Sequence, residues 1–304
     1  MYREPEFLPW DGRRVPMTFV GGYLGAGKTT VINEVLGAAE RPIAVIVNDV
    51  GEINIDARLV RSRSGDTVEL TDGCVCCSAI DGFGAAFDQL RARLEPPDHL
   101  IVELSGVAEP ANVLPWSNTA GFLLDGVVVV VGADQLVDAT MPDWVRTHLD
   151  RQIAAADLVV LSKTDLVDAA AIDTGRHRLD ELAPGVPVVD TGRGNNEPGA
   201  LGRFLALGGH RAGAITALPG PTLFDLHHTD TVPIDGPLDQ AGIERLLDEL
   251  PRHVGGRIVR AKGVVATPDG TLVLVQVVGN RREITPLFPT EADSPTDLVV
   301  ISLD

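Results

Sequence analysis

Eight residues, Gly22-Tyr23-Leu24-Gly25-Ala26-Gly27-Lys28-Thr29, constrain this chain more than any other segment. They fit the pattern G-x-x-x-x-G-K-[ST] without a mismatch. The apolar run Met17–Val20 precedes them and a helical stretch from Lys28 to about Ala39 follows. Small residues are needed there because backbone N–H groups must curl around phosphate oxygens with no Cβ in the way. The opening turn of a helix adds unpaired donors and the positive end of its dipole. Gly22, Gly25, Ala26, Gly27 and Thr30 therefore read as a phosphate cradle. Lys28 would reach the β/γ-phosphates and the Thr29 hydroxyl would hold Mg²⁺.

The rest of the chain alternates in a way that suits such a loop. Strand candidates fall at Pro42–Val47, Thr67–Leu70, Leu100–Glu103, Gly126–Val131, Leu158–Leu161 and Val186–Val189. Helical segments lie between most of them, at Gly84–Leu94, Trp144–Ala155 and Ala169–Leu182. The expected fold is α/β, a mainly parallel sheet with helices on both faces. Ligands bind beyond the carboxyl ends of such strands. Residues 1–16 read as an irregular lead-in, 17–207 as the phosphate-loop domain and the Gly/Ala/Pro-rich stretch 208–221 as a linker. Residues 222–304 read as a smaller α+β domain: a strand at Thr222–Leu226, a helix at Leu238–Leu250, and strands at Arg257–Val265, Leu272–Val278 and Leu298–Leu303. Pro268-Asp269-Gly270 would turn a hairpin there.

Composition narrows the partners. With 25 Lys plus Arg against 43 Asp plus Glu, a net charge of −18 disfavours nucleic acid and anionic membrane surfaces. The N-terminus lacks an apolar signal core and Val127–Val131 is too short to span a bilayer, so a cytoplasmic location is expected. All three cysteines sit in Cys74-Val75-Cys76-Cys77, the opposite of a disulfide framework.

Three further motifs carry chemistry. His99-Leu100-Ile101-Val102-Glu103 is an apolar strand ending in a carboxylate for the metal shell, and Gly106 follows where a backbone amide meets a γ-phosphate. Ser162-Lys163-Thr164-Asp165 approaches the guanine-reading pattern Asn-Lys-x-Asp. The Asp165 carboxylate can accept from guanine N1–H and its exocyclic amine, and the Lys163 stem would lie along the base. Cys74, Cys76 and Cys77 can converge on one soft or borderline cation, with Asp49, Glu52, a water or a phosphate oxygen completing the shell. Buried inert cysteines or a redox pair are the alternatives.

Together, Gly21–Thr30, Val47–Asp56, Gly73–Cys77, Glu103–Pro110 and Ser162–Asp165 resemble the CobW-like metallochaperone GTPases, a P-loop group that stands with the UreG and HypB proteins. The resemblance continues into Arg260-Ala261-Lys262-Gly263 and Gln276-Val277-Val278. It implies a low-turnover GTPase that uses Mg²⁺, carries Zn²⁺ or Co²⁺ at the cysteines and delivers it to a client metalloprotein. The Asn48–Asp56 and Glu103–Pro110 loops are similar to switch I and switch II, with Lys28, Thr29 and Glu103 as catalytic residues. Asp49 stands where Glu is usual, Gly132 replaces an Asp, and Ser105 and Glu109 stand for the commoner Thr and Asp. The His-rich insert of many members is missing. His227-His228 read as surface residues at a strand end, with an auxiliary metal site as the alternative.

The expected cycle has GTP closing both loops so that Asp49 and Glu52 approach the cysteines, and hydrolysis loosening that grip. A monomer, or a dimer formed with nucleotide or metal, fits this cycle. Two competitors stand beside it: a P-loop small-molecule kinase with a structural cysteine cluster, and a non-enzymatic GTP switch. Residues 104–125 contain no Arg of the kind a kinase lid needs.

Overall fold

Val127 to Val131 is buried at every residue, which a strand allows only where both faces of its sheet are covered. In the computed structural model, which describes residues 9–39, 41–47, 67–69, 80–110, 119–191, 227–254, 257–278, 281–287 and 297–303, this run is the end of a long strand, β5 (Phe122–Gly132). The other strands of its sheet are β1 (Val15–Gly21), β2 (Ile43–Val47), β3 (Thr67–Glu69), β4 (His99–Glu103), β6 (Leu158–Ser162) and β7 (Val188–Asp190). All seven are parallel, in the order β3-β2-β4-β1-β5-β6-β7. The connecting helices are α1 (Lys28–Ala38), α2 (Ile80–Arg91), α3 (Ala133–Val137), α4 (Asp143–Ala154) and α5 (Ala169–Leu182).

Strand β1 sits between β4 and β5, where the chain's progress across the sheet changes direction. Its carboxyl end is therefore at a topological switch point, the crevice in which open α/β sheets hold ligands. Register aligns the strand ends: Val47 faces both Glu69 and Glu103, and Glu103 faces Val20.

The second unit is a five-stranded antiparallel sheet in the order β11-β10-β9-β12-β8. Its strands are β8 (His227–Val232), β9 (Arg257–Ala266), β10 (Leu272–Val278), β11 (Arg281–Pro286) and β12 (Leu298–Leu303). Helix α6 (Gln240–His253) starts at Asp239, whose carboxylate accepts from Gly242 N at 2.7 Å. It packs Ile243, Leu247 and Leu250 against Ala261, Val265, Val275 and Val300. The expected hairpin is present: Gly270 N donates to Thr267 O at 2.9 Å, joining β9 to β10.

Several boundaries differ from the sequence pattern. Helix α2 runs over Ile80–Arg91 rather than Gly84–Leu94, and β5 begins at Phe122, before Gly126. Strand β11 went unforeseen because its charged residues, Arg282 and Glu283 among them, suit an edge strand that pairs on one side only. Helix α3 is a single turn, too short to show a period. The expected strand at Thr222–Leu226 and the linker 208–221 lie outside the described residues. His228 is exposed near the start of β8. No helix among the described residues is long and apolar enough to cross a membrane.

Candidate nucleotide and metal site

The cradle is a loop between β1 and α1 whose backbone demands glycine. Gly22, Gly25 and Gly27 all have positive φ, at 134°, 75° and 94°. At Gly22 a Cβ would lie 2.1 Å from the carbonyl oxygen of Val130 on the neighbouring strand, so no other residue fits there. The loop is closed by Ala26 N donating to Tyr23 O at 3.1 Å. Lys28 is buried, and its Nζ donates to Gly22 O at 2.9 Å, tying the helix start to the first glycine. Thr30 is exposed one residue beyond Thr29.

Glu103 is buried at the end of β4, and its Oε1 accepts from the Thr29 hydroxyl at 3.1 Å. The structure thus brings together the two oxygen groups the sequence assigned to Mg²⁺. Hydroxyl and carboxylate are hard donors, and a half-buried hydroxyl beside a buried carboxylate fits a small divalent ion. Gly106 follows closely. A Cβ on it would come within 2.8 Å of Leu24 N, so the loop after β4 rests on the cradle backbone.

Ser162, where the guanine-reading pattern has Asn, donates to Ala26 O at 2.6 Å and lies 3.3 Å from Val131 O. Its hydroxyl joins the loop after β6 to the phosphate loop. Lys163 holds a left-handed conformation (φ 57°), and its Nζ is 3.7 Å from Asp134 Oδ2. Asp165 is exposed in the 3-10 turn Thr164–Leu166. Thr164 Oγ1 donates to Asp190 Oδ1 at 3.0 Å, anchoring that turn to β7. A Cβ at Gly132 would lie 2.3 Å from Asp134 Oδ1. The space an acid at 132 would start from is therefore taken by the acid at 134.

Sequence reasoning missed two glutamines. Gln135 Nε2 donates to Leu24 O at 2.8 Å and its Oε1 accepts from Gly132 N at 3.2 Å, pinning the cradle from the β5–α3 junction. Gln152, fully buried on α4, donates to Ala108 O at 2.8 Å and Gly106 O at 3.3 Å. Beside it, Arg151 Nη1 is 3.3 Å and His148 Nδ1 3.5 Å from Glu109 Oε1. The His148 contact, then burial working the other way, then Arg151 leave the Glu109 carboxyl below the usual carboxylate range. The signal was present in α4: its core-facing positions 145, 148, 149, 152 and 153 include a His and a Gln among apolar residues.

Asp49, Glu52, Cys74, Cys76 and Cys77 lie outside the described residues. The strands leading into their segments, β2 and β3, end at the same sheet edge as Glu103. Among the described residues no group of three or more His, Cys, Asp or Glu is placed to hold a metal ion.

A parallel sheet carrying a phosphate loop, with a buried acid bonded to its Thr, defines a P-loop nucleotide-binding protein. Comparison with known families narrows this class. Residues 16–190 match the family model "CobW/HypB/UreG, nucleotide-binding domain", and 228–304 match "Cobalamin synthesis protein cobW C-terminal domain". The chain belongs to the CobW/HypB/UreG family of P-loop GTPases. It is 32% identical to a protein named zinc chaperone CobW from Pseudomonas aeruginosa, over 95% of this chain and 87% of that protein. A Sinorhizobium protein of the same name is 31% identical over 64% of this chain and 63% of its own length. The zinc chaperone YjiA of Escherichia coli is 28% identical over 83% of this chain and 81% of its own.

Proposed function

We propose that this chain is a GTP-driven metallochaperone that holds Zn²⁺ or Co²⁺ at Cys74, Cys76 and Cys77 and hands it to a client metalloprotein in the cytoplasm. Asp49 and Glu52 complete the metal shell when GTP is bound. The observation that carries this reading is the pairing of Thr29 with buried Glu103 at the end of β4, in a chain whose sequence places C-x-C-C after β3, two strands away in the same sheet. Family membership across both halves of the chain and three relatives named as zinc chaperones support it.

The chain's own groups account for the nucleotide chemistry. Glycine N–H groups and Lys28 bind the phosphates, and the fixed cradle spends no reorganisation when charge develops on the transferring group. Thr29 and Glu103 would hold Mg²⁺, which would supply neutralisation of phosphate charge. Asp165 and Lys163 read guanine, and the tether from Ser162 keeps that loop in register with the phosphates. Glu103 Oε1 accepts from Thr29, which favours a place in the metal shell, and we expect slow turnover in the absence of a client.

Coupling between metal and nucleotide is reciprocal: if GTP tightens metal binding, metal tightens GTP binding by the same factor. Competition titrations of Zn²⁺ and Co²⁺ against a chromophoric chelator, with GTP·Mg²⁺ and with GDP·Mg²⁺, test this directly. We expect the metal to bind at least about tenfold tighter with GTP, which corresponds to about 1.4 kcal/mol. Cys76→Ser should lose that tight binding and keep GTP. Equal metal affinity in both nucleotide states would leave a GTPase without a carrier role.

A further inference from the structure

The loop Leu104–Pro110 is gripped by a helix that no part of the nucleotide chemistry requires. Residues 148, 151 and 152 of α4 share one face, at spacings of three and four. Gln152 donates to the carbonyls of Gly106 and Ala108, Arg151 pairs with the carboxylate of Glu109, and His148 Nδ1 packs 3.5 Å from that carboxylate without a hydrogen bond among the described residues. Within the loop, Ala108 N donates to Ser105 O at 2.9 Å, so the gripped segment is closed as a turn.

Packing alone does not explain this arrangement. Gln152 is fully buried, and its Oε1 has no hydrogen-bond partner among the described residues. A Leu or Met at 152 would fill similar space without burying an unpaired oxygen. The amide is therefore retained for its two donor contacts to the loop. The other side of the grip touches the cradle: the ring of Tyr23 meets the ring of His148 edge-on, with centroids 6.3 Å apart at 67°. Gly106 itself lies against Leu24, so α4, the cradle and the loop form a closed triangle.

We propose that His148, Arg151 and Gln152 form a latch that fixes the Gly106 backbone against the phosphate cradle, making them positioning residues for recognition of the third phosphate of GTP. This rests on the GTP reading above and deepens it by naming what sets discrimination between the triphosphate and the diphosphate. Only a ligand that extends past the β-phosphate has anything to gain from a fixed Gly106. Loosening the latch should therefore weaken GTP and spare GDP.

Equilibrium binding of fluorescent GTP and GDP to the full chain, together with single-turnover hydrolysis, tests the latch. Gln152→Met removes both donors at nearly constant volume. It should lower the affinity for GTP by about tenfold, within the range usual for coupled sites, with GDP changed less than about twofold. Glu109→Asp, which keeps the charge and withdraws it by one methylene, should produce a smaller loss of the same kind and guards against a Gln152→Met chain that fails to fold. An Arg151→Lys variant, which keeps a cation within reach of Glu109, should restore most of the preference lost in Arg151→Met. Losses equal for GTP and GDP, or an unchanged ratio in Gln152→Met and Glu109→Asp, would make the grip a structural one and overturn the latch alone. A wild-type chain that binds neither guanine nucleotide overturns the GTP reading, and the latch with it.

Discussion

The two ends of the parallel sheet set their polar side chains against different neighbours. At the carboxyl edge the side chains of Lys28, Gln135, Gln152 and Ser162 all donate to backbone carbonyls of loops, at Gly22, Leu24, Ala108 and Ala26. Each fixes a segment that has no ladder of its own. At the amino edge the polar groups pair with other side chains, or donate to carbonyls while packing around a plug of aromatic rings. Thr18 and His99 meet at 2.8 Å in the core, and Arg13 bonds Asp98 at the surface. Arg91 lies over Phe87 and Phe122 while its Nε donates to Ala120 O and its Nη2 to Thr119 Oγ1. Trp10 packs edge-on against Phe122 and donates to Arg93 O. One edge holds loops in position for a ligand; the other closes the core. Mutations at the first should register in nucleotide affinity, and those at the second in stability.

Gly22→Ala gives the largest expected effect, because it damages both properties. The new methyl would sit 2.1 Å from Val130 O at a φ of 134°. Overpacking and backbone strain each cost about 1–3 kcal/mol. Relief requires β1 and β5 to part at the switch point. Chemical denaturation should show several kcal/mol lost, and calorimetry should show no stabilisation by GTP. A variant that is destabilised yet still binds GTP would mean that the cradle tolerates a shift of the first glycine.

The glycine-rich loop of the candidate site was legible in the sequence because such a loop is local. Gly22 to Thr29 is one uninterrupted stretch whose composition is dictated by backbone donors. The parallel sheet, with its ligand loops after the strands, followed from the alternation of apolar runs and helical segments. The supports were not legible. Gln152 sits 46 residues from Gly106 and Gln135 sits 111 from Leu24, and no periodicity links such pairs. Ser162 reads in sequence as a weak substitute for Asn, since its tether to Ala26, 136 residues away, exists only once the strands align. Charge concealed β11 for a related reason: what makes an edge strand safe against pairing also hides its pattern.

The amino edge is best separated from the site by pH. Burial, more than the opposing influence of Asp125 or the smaller one of Arg41, pushes the His99 pKa down from 6.5 to about 4. In the folded chain His99 stays neutral where an unfolded chain would protonate it. Stability is therefore full above the unfolded value, declines as pH falls from about 6.5 to about 4, and levels off below that. The whole window is worth about 3 kcal/mol. His99→Gln keeps a group able to bond Thr18 and cannot titrate, so its unfolding free energy should fall less over that window. GTP affinity, measured well above it, should be unchanged, because the pair lies at the far end of the sheet. Parallel slopes for the two chains would show that acid sensitivity comes from elsewhere.

Ser162→Ala is the smallest test and the most discriminating. It deletes one buried hydroxyl, 2.6 Å from Ala26 O, and leaves the strand end otherwise intact. A lost hydrogen bond of this kind costs about 1 kcal/mol. If the tether acts only as fold support, that loss appears in unfolding and GTP affinity follows it no further. If it keeps the base loop in register with the phosphate loop, GTP weakens several-fold, while inorganic triphosphate, which has no base to read, binds as before. Ser162→Thr, which keeps the hydroxyl, should retain GTP affinity. A GTP-specific loss in the Ala variant alone would place Ser162 with the carboxyl-edge donors that serve the ligand, and an equal loss for both ligands would place it with the amino-edge groups that serve the fold.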